Sequence, residues 1–220
     1  MNVLGVVRLI WYAAFDAVLP PKERSARTRT RSLEDILLAP TVHELLDVQI
    51  TTIMEYRDPA TRDLIRALKY DGSGAAAALA AAALADYLQE EIATLKQFSA
   101  REVLLVPVAL HRSRRRERGF NQIEIVLKAL PKEFRDGTIS RLAPQTLIRT
   151  RATRAQTTLH RAERLRNMQN AFEVPQGVDL TRSQVLLIDD VATTGATLKS
   201  AAAPLRKAGA VVSLLALARA

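Results

Sequence analysis

Two adjacent carboxylates, Asp189 and Asp190, stand directly after an apolar run at 185–188 and before a small, hydroxyl-rich stretch, Val191-Ala-Thr-Thr-Gly-Ala-Thr197. Adjacent acids are acceptors suited to two vicinal hydroxyls of a sugar ring. Thr193, Thr194 and Thr197 supply hydroxyl donors, and Gly195 lets backbone N–H groups approach a phosphate closely. A helix expected over 196–208 adds the positive end of its dipole to the same anion. Acids before the loop and donors inside it suit a sugar phosphate, hydroxyls on one side and phosphate on the other. An acid pair alone would be an ordinary helix cap; strand, acid pair, Thr-Thr-Gly loop and helix in series define a site.

Other chemistries lack their residues. No Gly-Lys-Ser/Thr is present, which excludes a Walker P-loop, and there is no GxGxxG dinucleotide turn. His43, His111 and His160 lie far apart without metal-ligand spacing, so no protein metal site is expected. The serines have no nucleophile-elbow context. The chain has no cysteine, which rules out disulfides, thiolate zinc sites and cysteine nucleophiles, and is compatible with a reducing cytoplasm.

The elements that must position the loop read as an α/β alternation. Strands are expected over 48–56, 102–107, 145–149, 184–188 and 211–217. Helices are expected over 60–70, 75–98, 120–130 and 196–208, with a short one from Ser32 to 38. Apolar strands alternating with helices imply a parallel sheet covered on both faces. The chain has 220 residues, 48% of them hydrophobic, which suits one domain with a small appendage. The expected division is a helical appendage and linker over 1–50, followed by the α/β domain over 51–220. A helix over 3–19 carries an apolar stripe, and 22–31 reads as a basic linker. No stretch reaches the roughly 18 uninterrupted apolar residues of a membrane helix, and no signal-peptide cleavage site follows the first helix.

The narrower motifs are Tyr56-Arg-Asp-Pro with Leu64-Ile-Arg-Ala-Leu-Lys-Tyr70; Val106-Pro-Val-Ala-Leu110 with Glu117-Arg-Gly-Phe-Asn-Gln122; Arg149, Arg151, Gln156, Arg161, Arg164, Asn167 and Phe172; and the loop itself. On these the chain resembles the type I phosphoribosyltransferase superfamily and, more narrowly, the ComF family of competence proteins. The pieces stand in the family's order. The resemblance implies a type I phosphoribosyltransferase-like parallel sheet flanked by helices, binding 5-phosphoribosyl-1-pyrophosphate. Asp189 and Asp190 would hold the ribose hydroxyls and be the catalytic pair if there is turnover. Ala192, Thr193, Thr194, Gly195, Ala196 and Thr197 would cradle the 5-phosphate. Val108, Arg118 and Arg151 would meet the pyrophosphate, and Mg²⁺ would arrive with it, held by ligand oxygens and water. Members of the family typically begin with a cysteine-rich zinc module, which residues 1–50 here cannot form. Ala109 stands where a second proline is usual.

The net charge is +9, and the arginines are clustered. His111-Arg-Ser-Arg-Arg-Arg-Glu-Arg118 holds five, and 149–166 holds a looser set. Such a rim would neutralise a pyrophosphate or follow a nucleic-acid backbone. The candidates for nucleic acid are Arg112, Arg114, Arg115, Arg116, Arg161 and Arg164. Aromatics are sparse around both clusters, so binding is expected to be electrostatic and steeply salt-dependent. The family resemblance implies a role in DNA uptake, with single-stranded DNA and a competence helicase as partners, in the cytoplasm or at the inner face of the membrane. The alternative is an active phosphoribosyltransferase on a nucleobase or other acceptor; a scaffold that senses the phosphoribosyl compound without turnover is a third reading.

Overall fold

The computed structural model describes residues 21–150 and 171–220. The helix expected over 3–19 lies outside the described residues, as does the segment 151–170 with Arg151, Arg161 and Arg164. Among the described residues, six strands form one sheet: β1 (Leu38–Leu45), β2 (Val48–Glu55), β3 (Glu102–Pro107), β4 (Arg141–Leu142), β7 (Ser183–Ala192) and β8 (Val211–Arg219). Their order is β1-β2-β8-β7-β3-β4. Only β1–β2 is antiparallel; each other neighbouring pair is parallel. A two-stranded ribbon joins β5 (Ile148–Arg149) to β6 (Phe172–Glu173).

Alternating side chains explain why the strands read as unbroken apolar runs. Leu186 and Ile188 of β7 enter one core with Leu105, Leu215 and Leu217, covered by α2 (Pro59–Arg66), α3 (Gly74–Phe98) and α5 (Gln122–Ala129). Val185 and Leu187 enter the other with Leu104, Val106 and Leu214, covered by α6 (Ala196–Lys207). Both faces are buried, so period-2 alternation does not show as polar against apolar. The helices start where their caps are strong. Asp58 accepts from Thr61 N at 2.7 Å ahead of Pro59 at the first helical position, and Ser73 accepts from Ala76 N at 3.3 Å to open α3.

The connections create the crevice. From β3 the chain passes through α4 (Arg112–Arg118) and α5 to β4 at the sheet edge; from β7 it passes through α6 to β8 in the opposite direction. The loops leaving β3 and β7 therefore diverge at their carboxyl ends, the topological switch point at which open α/β sheets bind ligands.

The N-terminal third departs from expectation. Residues 21–29 form a helix, α1 (Pro21–Arg29), not a linker. The helix has no apolar stripe to announce it, and the residues that follow it anchor to α2. The buried carboxylate of Asp63 meets Arg27 Nε at 3.5 Å and Arg31 Nη2 at 3.3 Å. After Ser32 there is only a 3₁₀ turn, Leu33–Asp35, and Leu38 begins a strand rather than ending a helix. No element was expected over β1, and it contains Pro40, which an edge strand tolerates. Its register with β2, Leu38↔Met54 to Leu45↔Val48, carries the sheet across the division expected at residue 50. The strand expected over 145–149 is reduced to Ile148–Arg149, and α4 forms within a stretch for which no element was expected.

Candidate functional site

β7 places Asp189 and Asp190 at the switch point, where Val108 N donates to Ile188 O at 2.8 Å and holds the β3 loop alongside. The two acids are turned by their own neighbours. Asp190 N donates to Asp189 Oδ1 at 2.9 Å, and Val191 N donates to Asp190 Oδ1 at 2.8 Å. Burial, and then the Asp190 carboxylate beside it, push the Asp189 carboxyl up from 3.8 to about 8; the Arg149 guanidinium opposes this. The pair presents acceptors for ribose hydroxyls, with burial and the neighbouring carboxylate both opposing charge on Asp189.

The loop at 193–195 is held from behind. Gly195 caps α6 at φ +79°, and a Cβ there would lie 2.8 Å from Ile50 Cδ1 and 2.9 Å from Leu45 Cβ. The β1–β2 hairpin thus packs directly under the loop. Its turn residues, Leu46 and Asp47, have φ of 52° and 61°, the primed geometry that matches strand twist. Lys199 Nζ in the first turn of α6 donates to Leu46 O at 2.6 Å. From the other side, Arg219 Nη1 donates to Ala192 O at 2.9 Å and Thr193 O at 2.7 Å. Ala192 is buried, whereas Thr193 and Thr194 are exposed and Thr197 is half-buried. Ala196, at the start of α6, donates its N–H to Thr194 Oγ1 at 3.4 Å.

The facing wall comes from the Arg118-Gly-Phe-Asn-Gln122 motif. Asn121 caps α5 by accepting from Ile123 N at 3.0 Å, and its Nδ2 donates to Val108 O at 3.0 Å. That double bond fixes the β3 loop to α5. Gln122 is buried, and its Nε2 donates to Asp190 Oδ2 at 2.9 Å; its Oε1 accepts from Arg118 Nη1 at 3.5 Å. The amide of Gln122 thus holds the Asp190 carboxyl group in place across the crevice. The geometry therefore brings Asp190, Gln122 and Arg118 into one chain of contacts.

Arginines approach from two directions. Arg149 of β5 is half-buried with its guanidinium 5.1 Å from the Phe172 ring. Burial, then the like charge of Arg114, pull it below the ordinary guanidinium range, while Asp189 pulls it back. Arg114 and Asp189 are thus both electrostatic neighbours of Arg149. Among the other expected nucleic-acid residues, Arg112, Arg115 and Arg116 are exposed on α4, and Arg115 pairs with Glu124 Oε2 at 3.6 Å. Arg151, Arg161 and Arg164 lie outside the described residues, so their expected roles have no geometry here.

Gln122 and Arg149 lie in the sequence motifs but gain their roles only in the fold, and Arg219 lies in none of the motifs. No local signal marks Arg219 because its partners stand 26 and 27 residues away. Of the two phenylalanines near the arginine clusters, Phe172 is buried and Phe120 packs against Gly72. Among the described residues no group of three or more His, Cys, Asp or Glu could hold a metal ion, and no helix is long and apolar enough to cross a membrane. A Mg²⁺ ion bound through pyrophosphate oxygens and water would need no such group.

Several known proteins are similar in sequence. Competence protein ComFC of Streptococcus pneumoniae is 32% identical over 151 residues, 69% of this chain and 59% of that protein. DNA utilization protein YhgH of Escherichia coli K12 is 32% identical over 163 residues, 74% of this chain and 67% of its own length. Competence protein F of Haemophilus influenzae is 30% identical over 106 residues, 48% of this chain and 44% of that protein. The chain thus spans about three fifths to two thirds of the first two relatives. No family model matches it. A hypoxanthine phosphoribosyltransferase from Staphylococcus aureus aligns in structure over 59% of each chain at 17% identity, with a TM-score of 0.32, too loose a match to transfer any property. The identity to YhgH and ComFC over most of its length places this chain in the ComF family.

Proposed function

We propose that the chain binds 5-phosphoribosyl-1-pyrophosphate with Mg²⁺ in the crevice between β3 and β7. We further propose that it serves in DNA uptake or utilization by holding single-stranded DNA along the arginines of α4. The observation that carries this reading is the acid pair at the switch point, with Asp190 held by Gln122, beside a glycine turn that opens α6. Ribose hydroxyls would meet Asp189 and Asp190. The 5-phosphate would meet the 193–197 backbone and the positive end of α6. Arg118, already bonded to Gln122, would turn to the pyrophosphate, and Mg²⁺ would neutralise the remaining charge through ligand oxygens. A DNA strand held at α4 would pass to a helicase of the competence machinery. The names of the relatives, two of them competence proteins and one a DNA utilization protein, support the cellular role.

Calorimetric titration of the ligand with Mg²⁺ tests the pocket. Saturable binding is expected, lost in Asp189→Ala/Asp190→Ala; no binding by the unaltered chain would sink this reading. DNA binding should survive that double substitution and fail in Arg114→Glu/Arg115→Glu.

The acid pair beside the glycine turn favours a second reading, turnover as a phosphoribosyltransferase. Two adjacent acids at one ribose could position the ring while pyrophosphate leaves, with catalysis by positioning and electrostatics. Release of pyrophosphate that requires an added acceptor would establish it.

A further inference from the structure

The basic rim carries an aromatic ring that its own sequence neighbourhood does not show. α2 runs beyond Arg66 into a π turn, Ala67–Asp71, closed by Gly72 at φ +57°. Such turns are uncommon and recur at functional sites. This one is held from two sides. A Cβ on Gly72 would stand 2.8 Å from Phe120 Cε1, so the phenylalanine of the Arg118-Gly-Phe-Asn-Gln122 motif rests against the turn's backbone. Asp71 Oδ2 accepts from Ser25 Oγ of α1 at 2.6 Å. Ala67 and Leu68 are buried, yet Tyr70 in the same turn is 44% exposed.

The ring stands among cations. Arg118 Cζ lies 5.9 Å from its centroid and Lys69 Nζ 5.4 Å. Arg118 in turn bonds Gln122, which bonds Asp190. Tyr70 therefore sits at the junction between the arginine helix α4 and the acid pair, 48 positions before Arg118 in the chain. A tyrosine on an immobilised turn offers a flat surface with little side-chain entropy left to lose on binding. The cations around it attract a phosphate backbone, and the ring adds a surface that a base can meet.

We propose that Tyr70 is a stacking platform for an unpaired base of single-stranded nucleic acid whose phosphates lie on the arginines of α4. This rests on the reading that the rim binds such a strand, and deepens it by adding a base contact to an electrostatic track. Stacking on an aromatic ring tolerates any base, because each presents a π face. The ring contributes affinity without sequence preference and without changing the number of counterions released.

The test uses the full chain and a fluorescent single-stranded oligonucleotide carrying 2-aminopurine. Tyr70→Ala should weaken binding roughly tenfold, a typical loss for one stacked base, and abolish the 2-aminopurine quench. Tyr70→Phe and Tyr70→Trp should restore both. The salt slope should be the same in all four proteins, and an abasic oligonucleotide should bind Tyr70→Ala and the parent equally. Equal losses in Tyr70→Ala and Tyr70→Phe, or equal sensitivity with the abasic strand, would overturn the proposal, since the hydroxyl or the fold would then be responsible. Displacement of the strand by free adenine in a Tyr70-dependent way would overturn it too, by making the ring an acceptor-base site. Loss of binding in Arg114→Glu/Arg115→Glu with no effect of Tyr70→Ala would leave the basic rim standing and this inference refuted. No binding by the parent chain would remove both.

Discussion

The loops that leave β3 and β7 flank one crevice and are built on opposite plans. The β7 loop is made of small residues, carries its anion-binding capacity in the backbone, and is clamped by the β1–β2 hairpin, Lys199 and Arg219. The β3 loop leads into α4, whose capacity lies in long exposed side chains that their neighbours only partly restrain. A preorganised backbone cradle recognises one small anion in one place, because its donors cannot move. Flexible guanidinium groups suit a ligand of variable shape, and their binding falls as salt rises. The first plan fits a sugar phosphate; the second fits a polymer.

Substitutions should separate the two plans. The largest effect is expected at Gly195→Val, which puts a β-branched side chain at φ +79° and into Ile50 and Leu45. Strain and overlap together should cost about 3 kcal/mol or more of stability. Sugar-phosphate binding should be lost with it, read by denaturant unfolding and calorimetry. Retention of both would mean that the hairpin does not set the loop.

An intermediate effect is expected at Asp189→Asn, and it depends on pH. The carboxyl is raised from 3.8 to about 8 in the folded chain, so between those values the folded state holds a proton that the unfolded state has released. Stability of the parent therefore falls as pH rises through that window. Asparagine does not titrate. The variant should match the parent below about pH 4 and gain stability relative to it, on the order of 1–2 kcal/mol, as pH rises towards 8. A pH-independent difference would mean that Asp189 titrates normally.

The smallest stability effect is expected at Arg112→Ala/Arg116→Ala on α4, where both side chains are exposed. Unfolding should change by under about 0.5 kcal/mol. Log affinity for single-stranded DNA against log salt should nevertheless flatten by about 1.4, near 0.7 for each lost phosphate contact. An unchanged slope would take α4 out of the binding track.

The strand, acid pair, threonine loop and helix at 185–208 were legible because they are contiguous: each residue's role follows from its place in one strand-turn-helix unit. The α3 helix and β3 were legible from apolar spacing and length. Helix α1 was not, since polar residues with no apolar stripe reveal nothing of the buried Asp63 that anchors Arg27 and Arg31. β1 was hidden by its half-exposed pattern and Pro40, both features of an edge strand.

The amino-acid sequence by itself determined the chemistry available at the crevice: two carboxylates, three threonines, one glycine able to take a positive φ, and a rich supply of arginine. Tertiary structure alone decided how those groups are poised. Gln122 reaches Asp190 across 68 positions, Arg219 reaches back to Ala192 across 27, and Tyr70 joins Arg118 across a turn, a helix and a strand. Such contacts depend on which strands lie side by side, and strand order is set by the packing of the whole sheet, which no local run of residues encodes.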